Sequence, residues 1–214
     1  MRGLYAILDA DSIRARGLGL EVIAAAVIAA RPPLIQLRAK HVAARDTLAM
    51  LRALRAPTRE AGVLLFANDR PDLALLAECD GVHLGQEDLA LGDVRRVAPS
   101  LAVGISTHDA GQLERALSER PSYVAFGPVY ATASKEGADP VVGIDALRVA
   151  AVRARAAGIP LVAIGGIDAE RAGEISHHAE LGAVLGALLP APGEPVEGVT
   201  ARARELHRRL GGEA

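Results

Sequence analysis

Eight short apolar segments alternate along the chain with longer segments in which apolar residues recur at helical spacing. The short segments are almost continuously hydrophobic and are bounded by glycine, proline or polar residues, which is typical of strands buried on both faces. The predicted strands cover residues 4–8, 34–38, 63–67, 81–84, 102–105, 123–126, 161–164 and 183–185.

The intervening segments predict helices, of which the clearest cover residues 43–61, 109–119, 145–157 and 201–210. Strand and helix alternating about eight times predicts an α/β protein with the eightfold (β/α)8 architecture, a TIM barrel. An open doubly wound sheet is the competing fold. Its dinucleotide-binding form loses support, because no G-x-G-x-x-G pattern follows the first strand. We predict a single domain over residues 1–214, with residues 211–214 a frayed tail.

Composition narrows the function classes. The chain has 214 residues, a net charge of −2 and 2% aromatic residues, so it offers neither a basic surface for a nucleic-acid duplex nor a stacking platform for single strands. Cys79 is the single cysteine, which excludes an internal disulfide and a cysteine cluster for zinc. The longest apolar run, residues 22–30, has about half the length that a membrane helix requires. We expect a soluble, cytoplasmic protein without nucleic-acid or membrane partners.

Rare polar residues are concentrated where the predicted strands end. Of the 24 lysines and arginines only Lys40 and Lys135 are lysines, and Asn68 is the only asparagine. All three follow predicted strands. In a TIM barrel the carboxyl ends of the strands form the rim that carries catalytic groups. The sequence therefore predicts an active rim that is rich in cations, carboxylates and glycine turns.

Two cationic segments on this rim suit a phosphate or a diphosphate. Arg38 and Lys40 are two residues apart, so they share one face of an extended strand end, where a guanidinium fork and a compact ammonium suit such an anion. The alternative is a pair of solvated surface charges. Residues 127–143 form the longest connection on this rim, and we predict that they act as a lid that brings Lys135 over the phosphates.

Asp69 and Asp88 follow neighbouring predicted strands. Two carboxylates that converge on one rim position suit Mg²⁺, which usually shares its shell with waters and substrate phosphates. Helix capping is the alternative reading for each, because Pro71 is a natural first residue of a helix and Asp88 also precedes a helical segment.

Glycines after the last two strands suggest a second anion site. Gly165 and Gly166 follow a buried strand, and Gly186 follows the next, where TIM barrels often bind phosphate. A tight turn without a ligand is the alternative. Among the histidines, His83 is predicted to be a hydrogen-bonded core residue. The position of His108 on the rim is compatible with either a structural or a functional role. We find no Ser-His-Asp arrangement.

Six segments in order along nearly the whole chain resemble the thiamine phosphate synthase family. They are residues 36–40 (QLRAK), 68–69 (ND), 80–88 (DGVHLGQED), 104–108 (GISTH), 123–129 (YVAFGPV) and 163–167 (AIGGI). The resemblance implies a single-domain TIM barrel that joins a hydroxymethylpyrimidine diphosphate to a thiazole phosphate, with Mg²⁺ as cofactor. The products would be thiamine phosphate and diphosphate.

The resemblance also implies a role for each matched residue. Gln36, Arg38, Lys40 and Asn68 would bind the pyrimidine diphosphate, Asp69 and Asp88 would hold Mg²⁺, Ser106 and Lys135 would contact the diphosphate, Thr132 and Ser134 would meet the thiazole, and Gly165, Gly166, Leu185 and Gly186 would cradle its phosphate. The catalytic set would be Arg38, Lys40, Ser106 and Lys135. The family usually carries threonine where this chain has Ser134 and serine where it has Gly186.

Two other functions remain open from the sequence. A thiazole tautomerase of the same superfamily would be an isomerase. That branch tends to lack the metal aspartates and to carry histidine at the position of Pro128. A non-catalytic paralogue that binds thiamine-related ligands is the third hypothesis. The oligomeric state stays open, and a homo-oligomer is compatible with the sequence.

Overall fold

Eight parallel strands close into a barrel. The structure is a computed structural model that describes residues 1–132, 140–191 and 194–213. Each strand pairs with the next in sequence order, and β8 pairs with β1, so the predicted TIM barrel is confirmed. The strands are β1 (Gly3–Asp9), β2 (Leu34–Arg38), β3 (Leu64–Asn68), β4 (Gly81–Leu84), β5 (Ala102–Thr107), β6 (Tyr123–Phe126), β7 (Leu161–Ile164) and β8 (Leu181–Val184).

Helices cover the outside of the barrel. They are α1 (Ala10–Ala15), α2 (Leu20–Ile28), α3 (Ala44–Ala61), α4 (Pro71–Leu76), α5 (Leu91–Val97), α6 (Ala110–Glu119), α7 (Gly143–Ala157), α8 (Ala169–Ile175) and α9 (Glu197–Arg209), with a 3₁₀ turn over Gly186–Leu188. Among the described residues, no helix combines the length and the apolar character that crossing a membrane requires.

Four strands (β2, β4, β6 and β7) have the predicted bounds, whereas β8 begins two residues before its predicted start. The difference arises at Gly182, which weakens the apolar pattern although it lies inside the strand and pairs with Leu4 of β1. A Cβ at Gly182 would lie 2.4 Å from Leu210 Cδ2. The glycine therefore gives the end of the chain room to pack on the barrel.

The core has two layers because successive residues of each strand face opposite sides of the sheet. One layer lies between the strands and the helices and includes Leu4, Ala6 and Leu8 of β1. The other fills the barrel interior with Tyr5, Ile7, Leu34, Phe66, Tyr123, Ala125, Val162, Leu181 and Ala183. Burial on both faces explains why the strands read as continuous apolar runs.

Two glycines make room for the large rings inside the barrel. A Cβ at Gly81 would lie 2.4 Å from Phe66 Cζ, and a Cβ at Gly104 would lie 1.9 Å from Tyr123 Cζ. Real Cβ atoms do not approach other atoms so closely, so each ring depends on a glycine in a nearby strand.

We predict that Gly104→Ala destabilises the barrel by about 1–3 kcal/mol, because the added methyl overpacks the ring of Tyr123. Gly92→Ala in α5 is the matched control, since nothing lies within 4 Å of the added Cβ. There alanine leaves stability unchanged or raises it by roughly 0.5–1 kcal/mol. Urea unfolding midpoints of both variants check this, and equal midpoints would contradict it.

Candidate functional site

A cavity of about 870 Å³ opens at the carboxyl ends of the strands. Every described residue that the sequence reasoning assigned to a site lines it: Gln36, Arg38, Lys40, Asn68, Asp69, Asp88, Ser106, Thr132, Gly165, Gly166, Leu185 and Gly186. Ser134 and Lys135, with most of the predicted lid, lie outside the described residues. The barrel thus gathers onto one surface residues that are up to 150 positions apart in the chain.

Arg38 is held by a buried carboxylate. It donates to Asp9, which also accepts a 2.7 Å hydrogen bond from the backbone N–H of Ser12. Burial alone would raise the pKa of Asp9, but the hydrogen bonds from Ser12 and Arg38 and the charge of Arg38 outweigh it and lower the pKa. The carboxylate therefore stays ionised and fixes the guanidinium, which is not a freely solvated surface charge.

Asp9 is a site-supporting residue whose partner the sequence reasoning missed. It lies on the predicted rim, yet nothing along the chain connects it with Arg38, which is 29 positions away. The strand register brings them together: Asp9 and Arg38 are register partners at the last rung of the β1–β2 ladder. Opposite charges at matching strand ends of neighbouring parallel strands are expected to meet.

Asp69 and Asp88 converge next to Lys40. The ammonium of Lys40 lies 3.2 Å from Asp69 Oδ2. Burial raises the pKa of Asp69, and the adjacent carboxyl of Asp88 raises it further, while Lys40 acts in the opposite direction. The two carboxyls therefore lie side by side in the cavity, each after the end of one of two neighbouring strands.

Neither aspartate caps a helix. Arg70 is the residue before α4 and Ala90 is the residue before α5, and neither side chain accepts a hydrogen bond from the first backbone N–H groups of its helix. The Asp88 carboxylate instead accepts a 2.6 Å hydrogen bond from the backbone N–H of Gly85. Asp69 has a φ of 62°, a left-handed conformation that aspartate tolerates better than most residues.

The oxygen atoms of Asp69 and Asp88 are ligands of the kind that a hard divalent cation prefers. Mg²⁺ takes oxygen ligands, commonly one or two carboxylates with waters and substrate phosphates. Within the parts of the chain that the structure describes, no group of three or more His, Cys, Asp or Glu side chains is arranged to hold a metal ion. Asp69 and Asp88 could therefore supply two ligands, with the others coming from water and from a bound anion.

A buried chain of hydrogen bonds crosses the barrel interior and ends at Ser106. The hydroxyls of Tyr5 and Tyr123 share a 2.9 Å hydrogen bond, Tyr123 and His83 Nδ1 share another of 2.9 Å, and His83 Nε2 lies 2.8 Å from Ser106 Oγ. The rings of His83 and Tyr123 also stack, with centroids 5.7 Å apart. His83 is thus a buried, hydrogen-bonded residue, and it also orients a side chain of the cavity.

Burial keeps this chain uncharged. It lowers the pKa of His83 to about 4 and raises the pKa values of Tyr5 and Tyr123. At neutral pH the imidazole therefore has one donor and one acceptor nitrogen. One neighbour of His83 must donate to it and the other must accept from it.

Gln36 lines the cavity with a buried amide next to the hydroxyl of Tyr5. The residue is 2% exposed, and its Nε2 has no hydrogen-bond partner among the described residues. An unpaired buried amide is costly, so such groups usually meet a partner when a ligand binds. Gln36 is therefore a lining residue whose amide nitrogen has hydrogen-bonding capacity left for a ligand.

The glycine turn after β7 packs tightly on the segment after β6. Gly165 and Gly166 have φ values of 99° and 64°, and a Cβ on Gly165 would lie 2.4 Å from Pro128 Cβ. The backbone N–H of Tyr130 donates to Gly165 O at 3.1 Å. Only glycine fits this turn, and its backbone, with that of Gly186, borders the end of the cavity opposite β3 and β4 of the barrel.

Comparison with known proteins gives one consistent result. A family model described as thiamine monophosphate synthase matches residues 4–188. A thiamine-phosphate synthase of Chloroflexus aurantiacus is 36% identical over 204 residues, covering 95% of this chain and 90% of the relative. One of Methanocella arvoryzae is 40% identical over 205 residues, covering 95% and 92%. A solved thiamine phosphate pyrophosphorylase of Pyrococcus furiosus superposes with a TM-score of 0.84 at 28% identity, covering 97% and 95%.

We predict that Tyr123→Phe destabilises the protein by about 1–3 kcal/mol, because it leaves buried polar groups on Tyr5 and His83 without their shared partner. Tyr130→Phe is the control. Its hydroxyl donates to Glu174 at an exposed site, so its loss changes stability by less than about 1 kcal/mol. Denaturant titration at pH 7 measures both, and similar losses in the two variants would argue against a stabilising buried chain.

Proposed function

This chain belongs to the thiamine monophosphate synthase family, and from that premise we propose the substrates and the chemistry of its reaction. It is a transferase of that family. We propose that it joins 4-amino-2-methyl-5-hydroxymethylpyrimidine diphosphate to a thiazole phosphate, giving thiamine phosphate and diphosphate. The second substrate is a thiazole phosphate or its carboxylated form, and the carboxyl group of that form leaves as CO2.

One observation carries this proposal: a group of cationic and acidic side chains and a group of glycine turns line different ends of one cavity. Arg38, Lys40 and the aspartate pair lie at the ends of β2, β3 and β4, where a diphosphate and a metal ion would be accommodated. The glycine turns lie at the ends of β7 and β8, where a monophosphate would be accommodated. A reaction between one diphosphate and one monophosphate substrate needs such an arrangement.

With the thiazole phosphate that has no carboxyl group, the proposed chemistry breaks one bond and forms one. The C–O bond between the pyrimidine methylene and the diphosphate breaks, and the electron pair leaves with the diphosphate. The thiazole nitrogen then donates its lone pair to the cation-like methylene carbon, which forms the C–N bond. Arg38 and Lys40 stabilise the charge that develops on the leaving group, as would Lys135. The remaining rate enhancement comes from holding the two substrates in reacting geometry, and no protein nucleophile is required.

Ser106 completes the diphosphate contacts in this proposal. A neutral His83 can donate from Nε2 to Ser106 Oγ, which leaves the serine hydroxyl free to donate into the cavity. Gln36 and Asn68 would bind the pyrimidine, and Thr132 and Ser134 would meet the thiazole. The backbones of Gly165, Gly166, Leu185 and Gly186 would bind the thiazole phosphate.

Asp69 and Asp88 would hold Mg²⁺. The support is their convergence in the cavity, which the raised pKa of Asp69 beside Asp88 reflects. When bound, the cation would supply positive charge to the departing diphosphate. Lys40 would lie between the metal ion and the diphosphate, because its ammonium contacts Asp69 and lies on the same side of the cavity as Arg38.

We expect purified protein to form thiamine phosphate when it is incubated with both substrates and Mg²⁺. Product is measured by fluorescence after oxidation to the thiochrome, and omission of either substrate is the control. Chelation of the metal should stop turnover, and added Mg²⁺ should restore it. The absence of product under conditions in which a thiamine-phosphate synthase relative is active would refute the proposed reaction.

Asp88→Ala should lower kcat by at least about a hundredfold, because charge stabilisation by a metal is worth several kcal/mol. The remaining activity should require more Mg²⁺ for saturation. Asp145→Ala, which removes an exposed carboxylate on α7, is the control and should behave like the wild type. Unchanged Mg²⁺ dependence in Asp88→Ala would show that Asp88 is not a metal ligand.

Lys135→Arg should cause a large loss of kcat, on the order of a hundredfold, because a planar guanidinium cannot replace a compact ammonium in a crowded phosphate site. The prediction rests on the sequence, since Lys135 lies outside the described residues. Steady-state kinetics measure it, with circular dichroism as the folding control. Near-normal turnover would remove Lys135 from the catalytic set.

A further inference from the structure

Arg171 is a cation of the cavity that neither the motifs nor the proposed mechanism uses. It lies in the first turn of α8 and lines the cavity beside Gly165, Gly166 and Gly186. The other arginine and lysine side chains that line the cavity within the described ranges are Arg38 and Lys40. Both of these are engaged with aspartates near the proposed diphosphate. Arg171 therefore provides positive charge at the end of the cavity that the glycine turns line.

A hydrogen bond and an aromatic ring hold the guanidinium of Arg171 in place, beside a longer ion pair with Asp168. Its Nη1 donates to Gly166 O at 2.6 Å, so it is tied directly to the glycine turn. Its Cζ lies 4.7 Å from the centroid of the Tyr130 ring, which is within the range of a cation–π interaction. Tyr130 is itself fixed, since its hydroxyl donates to Glu174 at 3.1 Å. The arginine is thus oriented before any ligand arrives.

Most of the hydrogen-bonding capacity of Arg171 is unused. Its contact with Gly166 O involves Nη1, and the Asp168 carboxylate is 3.6 Å from the same nitrogen, which is too far for a strong hydrogen bond. Asp168 Oδ1 accepts from the backbone N–H groups of Glu170 and Arg171 instead. Among the described residues, nothing accepts a hydrogen bond from Nε or Nη2 of Arg171. These groups can form a fork for a phosphate.

We propose that Arg171 binds the phosphate monoester of the thiazole substrate and selects the phosphorylated form over the free alcohol. This inference rests on the proposed function and deepens it. The turn at Gly165 and Gly166, with Gly186, presents only backbone groups, and the other charged side chain that lines this end of the cavity within the described residues is the carboxylate of Asp168. Without Arg171 the dianion would therefore meet no cationic side chain there. Arg171 supplies that charge from a position fixed by Gly166 and Tyr130.

A purely structural role for Arg171 predicts a different pattern. If the side chain only braced the Gly166 turn, its loss would disturb every ligand that packs against the turn, with or without a phosphate. A phosphate-binding role affects only the phosphorylated ligand. The affinity ratio between the thiazole phosphate and the unphosphorylated hydroxyethyl thiazole separates the two roles.

The test compares the wild type with Arg171→Ala and Arg171→Lys. Arg171→Ala should raise the KM for thiazole phosphate by roughly ten- to a hundredfold, the range expected for loss of a charge-assisted hydrogen bond. The KM for the pyrimidine diphosphate and the inhibition constant of the unphosphorylated thiazole should stay within about twofold of the wild type. Arg171→Lys should recover part of the loss, because it keeps the charge without the fork.

Arg153→Ala is the matched control, since Arg153 pairs with Glu114 on the outer helices and does not line the cavity. All its constants should equal those of the wild type. The inference is overturned if Arg171→Ala leaves the KM for thiazole phosphate unchanged, or if it weakens the phosphorylated and unphosphorylated thiazoles equally. If the wild type forms no thiamine phosphate, the proposed reaction fails. Calorimetric titration of thiazole phosphate into both proteins then still decides the role of Arg171.

Discussion

Backbone hydrogen bonds between β8 and β1 close the sheet, and this closure positions every functional group of the molecule. The pairing runs from Gly3 opposite Leu181 to Ala6 opposite Val184 and leaves no sheet edge. Because all eight strands are parallel, their carboxyl ends meet at one rim. Residues at the ends of β2, β3, β4, β7 and β8 can then line one cavity although they are far apart in the chain.

Inside the barrel, size and polarity are matched between neighbouring strands. The large ring of Tyr123 occupies the space that Gly104 leaves, and its hydroxyl bridges Tyr5 and His83. Burial keeps these groups neutral, so the interior tolerates them as a fully hydrogen-bonded chain. The same chain reaches Ser106, which lines the cavity. The core layer inside the barrel therefore also orients the hydroxyl of Ser106, which belongs to the cavity lining.

Charge at the rim is balanced locally and not across the surface as a whole. Asp9 pairs with Arg38, and Asp69 pairs with Lys40, each across the ends of neighbouring strands. These pairs fix the cations while leaving them beside the cavity, ready for an anion. Arg171 differs in part, since an aromatic ring and a backbone carbonyl hold it in addition to a 3.6 Å ion pair with Asp168 on its own helix turn. The net charge of −2 conceals this separation of cationic and acidic groups.

The sequence by itself determined the barrel and most of the rim, because burial on both faces leaves a continuous apolar pattern and strand ends can be read directly from it. The start of β8 was misplaced, since Gly182 gives no apolar signal. Only the tertiary structure decided which side chains pair: Asp9 with Arg38, His83 with Ser106, and Arg171 with Tyr130. These contacts join residues far apart in the chain. Strand register and ring packing set them, and a one-dimensional pattern contains neither.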